Sequence, residues 1–248
     1  MTILIGVLCK DGVVVGADSS ATFDAGGLRT IEQPTRKIDI INGKIIVAGT
    51  GQVGLGQRFS YQIKKAWSEN KLKGNSIEVA KTMSALGISD FIDTKWVEKG
   101  QYGALVAFPA EKKSHLCEFQ IRDFQPELKT EHLWYVSVGS GQLIADPFLG
   151  LMRRIFWPTE PPKTYQDGIF VVVWALQHAI ELNPGGVNGP MQIAVLAQDG
   201  GDIKARMLEE GEITEHIDNV NGAIEHLRIY GDTLRGKKEI PDIPKPQS

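Results

Sequence analysis

Apolar residues crowd the start of the chain in two short runs, residues 3–9 and 13–17, rich in Val and Ile and parted by Lys10-Asp11-Gly12. Asp-Gly between two such runs is a strong hairpin signal. A polar, Gly-containing stretch over 19–36 follows and is read as irregular. Residues 37–41 and 44–49 then bracket Asn42-Gly43, the other preferred two-residue turn. Four strands in two hairpins are predicted. Beyond them the period changes. Over 52–67, Val53, Phe59, Ile63 and Trp67 fall mainly on one helical face. A second helix is predicted over 76–91, with Ser76 and Glu78 at its start. Strands return at 103–108, 115–121 and 132–138, helical patterns at 142–156 and 167–181, and strands at 191–197 and 203–208.

Strands and helices therefore come in blocks. That order predicts largely antiparallel sheets rather than βαβ units. The fold class expected is α+β, a four-layer αββα sandwich in which two sheets face each other and helix pairs cover them. No repeat of about 20–50 residues is found. Residues 211–248 differ from the rest. Ile213, Ile217, Val220, Ile224 and Leu227 form a narrow apolar seam on one helix, and the chain then ends in a proline-rich tail. The expected organisation is a main domain over 1–210 and a C-terminal extension over 211–248. The seam must dock either on the parent domain or on a neighbouring subunit, and the neighbour is favoured because the seam resembles a helix–helix interface.

Composition narrows the function classes. With 248 residues, 42 % hydrophobic and 23 % charged, the chain reads as an ordinary globular protein. Its net charge of −3 is too balanced to suggest a nucleic acid or an anionic membrane as partner. No signal peptide or membrane span is read, so a cytoplasmic location is expected. The two cysteines, Cys9 and Cys117, sit in separate apolar runs and are expected to be buried and reduced. No cofactor or metal is implied.

Candidate chemistry begins at Thr2, directly after the initiator Met. Methionine is generally trimmed before a small residue, and the mature chain would then begin with threonine. One residue would carry both nucleophile and base, the hydroxyl attacking a carbonyl while the α-amine, with an ordinary pKa of about 7.7–8.0, takes the proton. Taken alone, a threonine at position 2 is common and means nothing. Asp18, however, ends an otherwise apolar strand, and Lys37 begins the next one. The two could form a buried pair whose cation lowers the Thr2 hydroxyl pKa and weakens protonation of the amine; taken singly, each reads more readily as a strand-end surface charge. Ala48-Gly49-Thr50-Gly51 lies between a strand and a helix, where free N–H groups could receive an oxyanion or merely make a tight turn. Phosphate binding there would need the Lys-Ser/Thr ending of a P-loop, which is absent. In Val138-Gly139-Ser140-Gly141, Ser140 could orient the Thr2 amine or simply cap the following helix.

Together these pieces closely resemble the proteasome β-subunit family. The resemblance rests on TILIGVLCKDGVVVGADSSAT, KIDIINGKIIVAGTGQVG and SVGSG, spans roughly residues 2–200, and is nearest to the small bacterial proteasome homologues of the β-proteobacterial type. It implies an N-terminal-nucleophile hydrolase, a threonine-type endopeptidase assembled in stacked homo-oligomeric rings and acting on peptides or unfolded proteins. By that resemblance Thr2 is the nucleophile, Asp18 and Lys37 its partners, Gly49 the oxyanion donor and Ser140 the amine-orienting residue. There are departures. Lys37 lies about three residues later than the family spacing, so the loop over 19–36 is longer. The family's later Asp-x-x-Ser-Gly-Gly has no clear counterpart, since Asn188 and Gly189 stand where Ser and Gly are expected. Two other readings remain open, an inert ring-forming subunit and an N-terminal-nucleophile amidase acting on small molecules. The amidase would be expected to carry several arginines around its pocket, and only Arg29 and Arg36 lie near Thr2 in the sequence.

Overall fold

The structure, a computed structural model, describes residues 2–25, 28–93, 101–182 and 186–236, with residues 22–25 and 28–30 described by their backbone alone. Met1 and the tail from 237 onward, and with them the expected Met1 removal and proline-rich ending, lie outside the described residues.

The first hairpin is β1 (Leu4–Leu8) and β2 (Gly12–Ala17), paired so that Leu4 faces Ala17 across the ladder. β10 (Tyr135–Val138) joins the far side of β1, while β11 (Gln192–Asp199) and β12 (Asp202–Met207) extend the sheet beyond β2, in the order β10-β1-β2-β11-β12. The second hairpin, β5 (Ile38–Ile41) and β6 (Ile45–Gly51), turns through Asn42 at φ 51° and Gly43 at φ 64°, the paired positive angles that Asn-Gly supplies. It continues through β7 (Tyr102–Ala110), β8 (Lys113–Phe119) and β9 (Pro126–Leu128) as the sheet β5-β6-β7-β8-β9. Every described pairing is antiparallel.

Alternation along the strands explains the layers. Leu4, Val13, Val15 and Ala17 from one sheet meet Ile46, Ala48, Leu105 and Leu116 from the other, forming the core between the sheets. Ile3, Ile5, Val7 and Val14 point the opposite way, into a second core with α3 (Gln142–Phe156) and α4 (Tyr165–Leu182). Val47, Val106 and Phe119 turn from the second sheet toward α1 (Val53–Ser68) and α2 (Ser76–Asp93). Both faces of both sheets are thus covered. That is why the strands read as near-continuous apolar runs rather than alternating ones. The arrangement is the expected four-layer αββα sandwich of the α+β class. Cys9 and Cys117 are buried as free thiols, as expected. Among the described residues, no helix is long and apolar enough to cross a membrane.

Two readings of the sequence are corrected. The stretch over 19–36 is not irregular, since it forms β3 (Ser20–Ala25) and β4 (Leu28–Pro34), a separate two-stranded sheet. Its sequence is polar and glycine-containing, without the Val- and Ile-rich runs that mark the other hairpins. The second correction concerns α5 (Glu210–Leu234). Val220 is fully buried and Ile213, Ile217 and Ile224 pack against the core that includes α4, so the seam docks on its own domain and not on a neighbour. A capping box between Glu209 and Glu212 starts the helix, and Arg206 grips Glu212 from β12 with two bonds of 2.7 and 2.8 Å. Only the last turns, with Leu227, Tyr230 and Leu234, are exposed apolar surface.

Candidate active site

Asp18 follows the last residue of β2 and is fully buried. A carboxylate there needs donors, and it has three. Oδ1 accepts from the Ile3 N–H at 2.9 Å and from the Lys37 ammonium at 2.6 Å, and Oδ2 accepts from the Ser20 N–H at 3.1 Å. Lys37 immediately precedes β5, and its side chain is only 6 % exposed. Its Nζ also donates to Thr2 Oγ1 at 3.1 Å. Two separate hairpins therefore deliver an acid and a base to the threonine. Burial pushes the Lys37 ammonium below the ordinary lysine range, and Asp18, with a smaller contribution from Glu32, opposes that.

Thr2 itself is clamped by the glycine motif after β10. The Thr2 N–H donates to Ser140 Oγ at 3.1 Å, and the Thr2 carbonyl accepts from the Gly141 N–H at 3.2 Å. Gly139 has φ +105°, and a Cβ there would lie 2.3 Å from the Thr2 carbonyl oxygen. No other residue lets the two backbones approach so closely. The capping reading of Ser140 gives way, because the N-cap of α3 is Gly141 and no side chain caps it.

Gly49 differs from its expected state. Its N–H is not free but donates to the Lys37 carbonyl at 3.2 Å, one step beyond the Ile38–Ala48 pair that ends the β5–β6 ladder. A Cβ at Gly49 would stand 2.7 Å from the Tyr102 hydroxyl oxygen, so this glycine also serves a close packing contact. Thr2, Lys37, Gly49 and Ser140 all line one cleft of about 1260 Å³, with Asp18 buried behind it. All five residues singled out from the sequence thus converge.

Other residues of the site were not singled out from the sequence, where Asn188 entered only as a departure from the family motif. Gln192, at the start of β11, accepts the Lys37 N–H on Oε1 at 3.0 Å, and its Nε2 donates to Ser19 Oγ and to the Thr35 carbonyl, both at 2.7 Å. It therefore braces the backbone on both sides of the lysine's approach. Asn188 accepts the Ser19 N–H on its carbonyl at 2.9 Å and donates from Nδ2 to Glu32 at 2.7 Å. These contacts join residues far apart in the chain, and no local pattern announces them.

The sequence profile of the family described as Proteasome subunit matches residues 2–188. Among solved structures, an Anbu (Gly-1) mutant from Hyphomicrobium sp. strain MC1 superposes with a TM-score of 0.70 at 13 % identity, covering 98 % of this chain and 100 % of that one. Anbu, described as an ancestral beta-subunit, from Yersinia bercovieri gives 0.69 at 11 % identity, covering 98 % and 99 %. At such identities the likeness is one of fold. No curated protein matches.

Proposed function

The chain belongs to the proteasome subunit family, and from that premise we propose that it is a threonine-type endopeptidase whose nucleophile is Thr2, exposed as the N-terminal residue once Met1 is removed. The observation that carries this reading is the position of the Lys37 ammonium, 3.1 Å from Thr2 Oγ1 and 2.6 Å from Asp18.

With Met1 gone, the Thr2 nitrogen is an amine instead of an amide and can accept a proton. The Thr2 hydroxyl attacks the scissile carbonyl and passes its proton to that amine, while Lys37, held charged by Asp18, stabilises the developing alkoxide. The Ser140 hydroxyl fixes the direction of the amine. The Gly49 N–H receives the oxyanion by exchanging its bond to the Lys37 carbonyl, which at 3.2 Å is at the long end for N–H···O. The amine then returns its proton to the leaving nitrogen, which departs and leaves an ester on Thr2 that water hydrolyses. The cleft, about 1260 Å³ and open along β6 and α1, has room for an extended peptide.

Assembly into stacked homo-oligomeric rings in the cytoplasm, acting on peptides or unfolded proteins, belongs to the same proposal. The exposed apolar residues Leu143, Leu151 and Ile155 along α3 support a subunit contact there. Peptides blocked at both ends separate the readings. The endopeptidase cleaves them internally, with Thr2-dependent turnover. Hydrolysis of small amides with blocked peptides left intact would point to the amidase, and no turnover of either to an inert subunit.

A further inference from the structure

Three segments far apart in sequence meet on one carboxylate. Ser20 Oγ donates to Glu32 Oε1, and Asn188 Nδ2 donates to the same oxygen at 2.7 Å. Glu32 lies on β4, Ser20 opens β3, and Asn188 comes from the connection between α4 and β11. Each partner is itself bound to the site. The Ser20 N–H holds Asp18 Oδ2 at 3.1 Å, and the Asn188 carbonyl takes the N–H of Ser19, the residue between them, at 2.9 Å. Glu32 therefore closes a ring of hydrogen bonds around the short segment 18–20 that presents Asp18 to Lys37. Residues 183–190 read Asn-Pro-Gly-Gly-Val-Asn-Gly-Pro, so that connection brings no acid of its own.

We propose that Glu32 is a positioning residue of the Thr2 site, an acid carried in by the β3–β4 hairpin that fixes the 18–20 segment against Asn188 and adds a second negative charge on the Lys37 side. The kinetic consequence rests on the peptidase reading; the coupling between Glu32 and Lys37 does not. A purely mechanical role would be served by any acceptor oxygen at position 32, whereas the charge acts on the lysine. Among the described residues, the charged groups around Lys37 are Asp18, Glu32 and, lining the cleft, Arg36, Asp39, Glu118 and Arg122. Glu118 is held by Lys129 at 2.8 Å, and Arg36 and Asp39 lie 3.8 Å apart as a mutual pair. Asp18 and Glu32 are the acids whose charges favour the Lys37 ammonium against the cost of its burial.

Glu32→Gln removes the charge and keeps an acceptor oxygen; Glu32→Asp restores the charge on a shorter arm. The direct readout is the titration of the Lys37 ε-methylene by NMR at low ionic strength, assigned with Lys37→Arg, because Glu32 is exposed and its effect is screened by salt. The midpoint is expected to fall in Glu32→Gln and to return toward the parent value in Glu32→Asp. The rate at which an N-terminal-threonine-directed electrophile modifies Thr2 should drop about three- to tenfold in Glu32→Gln. Its descending alkaline limb should move to lower pH, since the active form needs Lys37 protonated. An unmoved Lys37 midpoint overturns the proposal, and so does a uniform loss of rate with the limb in place. A midpoint that moves in a protein whose Thr2 never reacts sustains the coupling and overturns the peptidase reading instead.

Discussion

Replacing Lys37 by alanine is expected to lower the rate of Thr2 acylation by about a thousandfold or more, the scale of losing a positioned proton-transfer and charge-stabilising group. Among the described residues, no nearby cation substitutes for it. Arg36 is adjacent in sequence, but its Nε is bonded to the Ile38 carbonyl at 2.7 Å and lies within 3.8 Å of Asp39. Ser140→Ala should be far milder. It removes one hydrogen bond to the Thr2 nitrogen, worth about 1–3 kcal/mol, or a fall of about 5- to 150-fold. The Gly141 N–H still holds the Thr2 carbonyl at 3.2 Å and keeps the residue in place. Stopped-flow acylation with an activated peptide ester compares the two variants. Equal, small losses would contradict the roles assigned to both residues.

Asp18→Ala is expected to act on stability as well as rate. The side chains of Asp18 and Lys37 are 0 % and 6 % exposed, so removing the carboxylate leaves a buried ammonium without its counter-ion and strips acceptors from the Ile3 and Ser20 N–H groups. Breaking a buried pair from one side costs about 3–5 kcal/mol. For a chain of this size that corresponds to a fall in Tm on the order of 10 °C. The double variant Asp18→Ala with Lys37→Met should recover part of the loss, because the uncompensated charge goes with the lysine. Calorimetry of the set reads this directly. A single variant melting within about 2 °C of the parent would show that the pair is not the buried ion pair described.

How much of this was legible depends on what each residue answers to locally. Asp-Gly and Asn-Gly mark turns by their own backbone preferences, and the helices carry their own period. Gln142–Phe156 was accordingly read to its observed ends. Asp18 stood out because it ends an apolar strand with a charge that a strand end does not require, Thr2 by its place after the initiator Met, Lys37 as the charge that opens the next apolar strand, and Ser140 by the glycines on either side of it. The β3–β4 hairpin was invisible for the opposite reason. Its sequence is polar and interrupted by Gly26-Gly27, with no run of Val and Ile like those of the first two hairpins. The three-residue β9 is too short to carry a period. Glu32, Asn188 and Gln192 owe their places to pairings across the fold, such as Gln192 with Ala17 in the β2–β11 register. The docking of α5 was misjudged because a narrow seam looks the same whether it meets its own α4 or another chain. Gly49 was read as a free donor because a glycine motif between strand and helix does not reveal that its N–H is already taken by the Lys37 carbonyl at the end of the β5–β6 ladder.

The central claim is that Thr2 is an N-terminal nucleophile activated by Lys37. Intact mass of the purified protein, before and after exposure to an N-terminal-threonine-directed electrophile, tests it most directly. The account predicts a chain lighter by one methionine that gains one adduct, mapped by peptide fragmentation to Thr2 and absent in Lys37→Ala. A chain that keeps Met1, or a trimmed chain that gains no adduct, would contradict it.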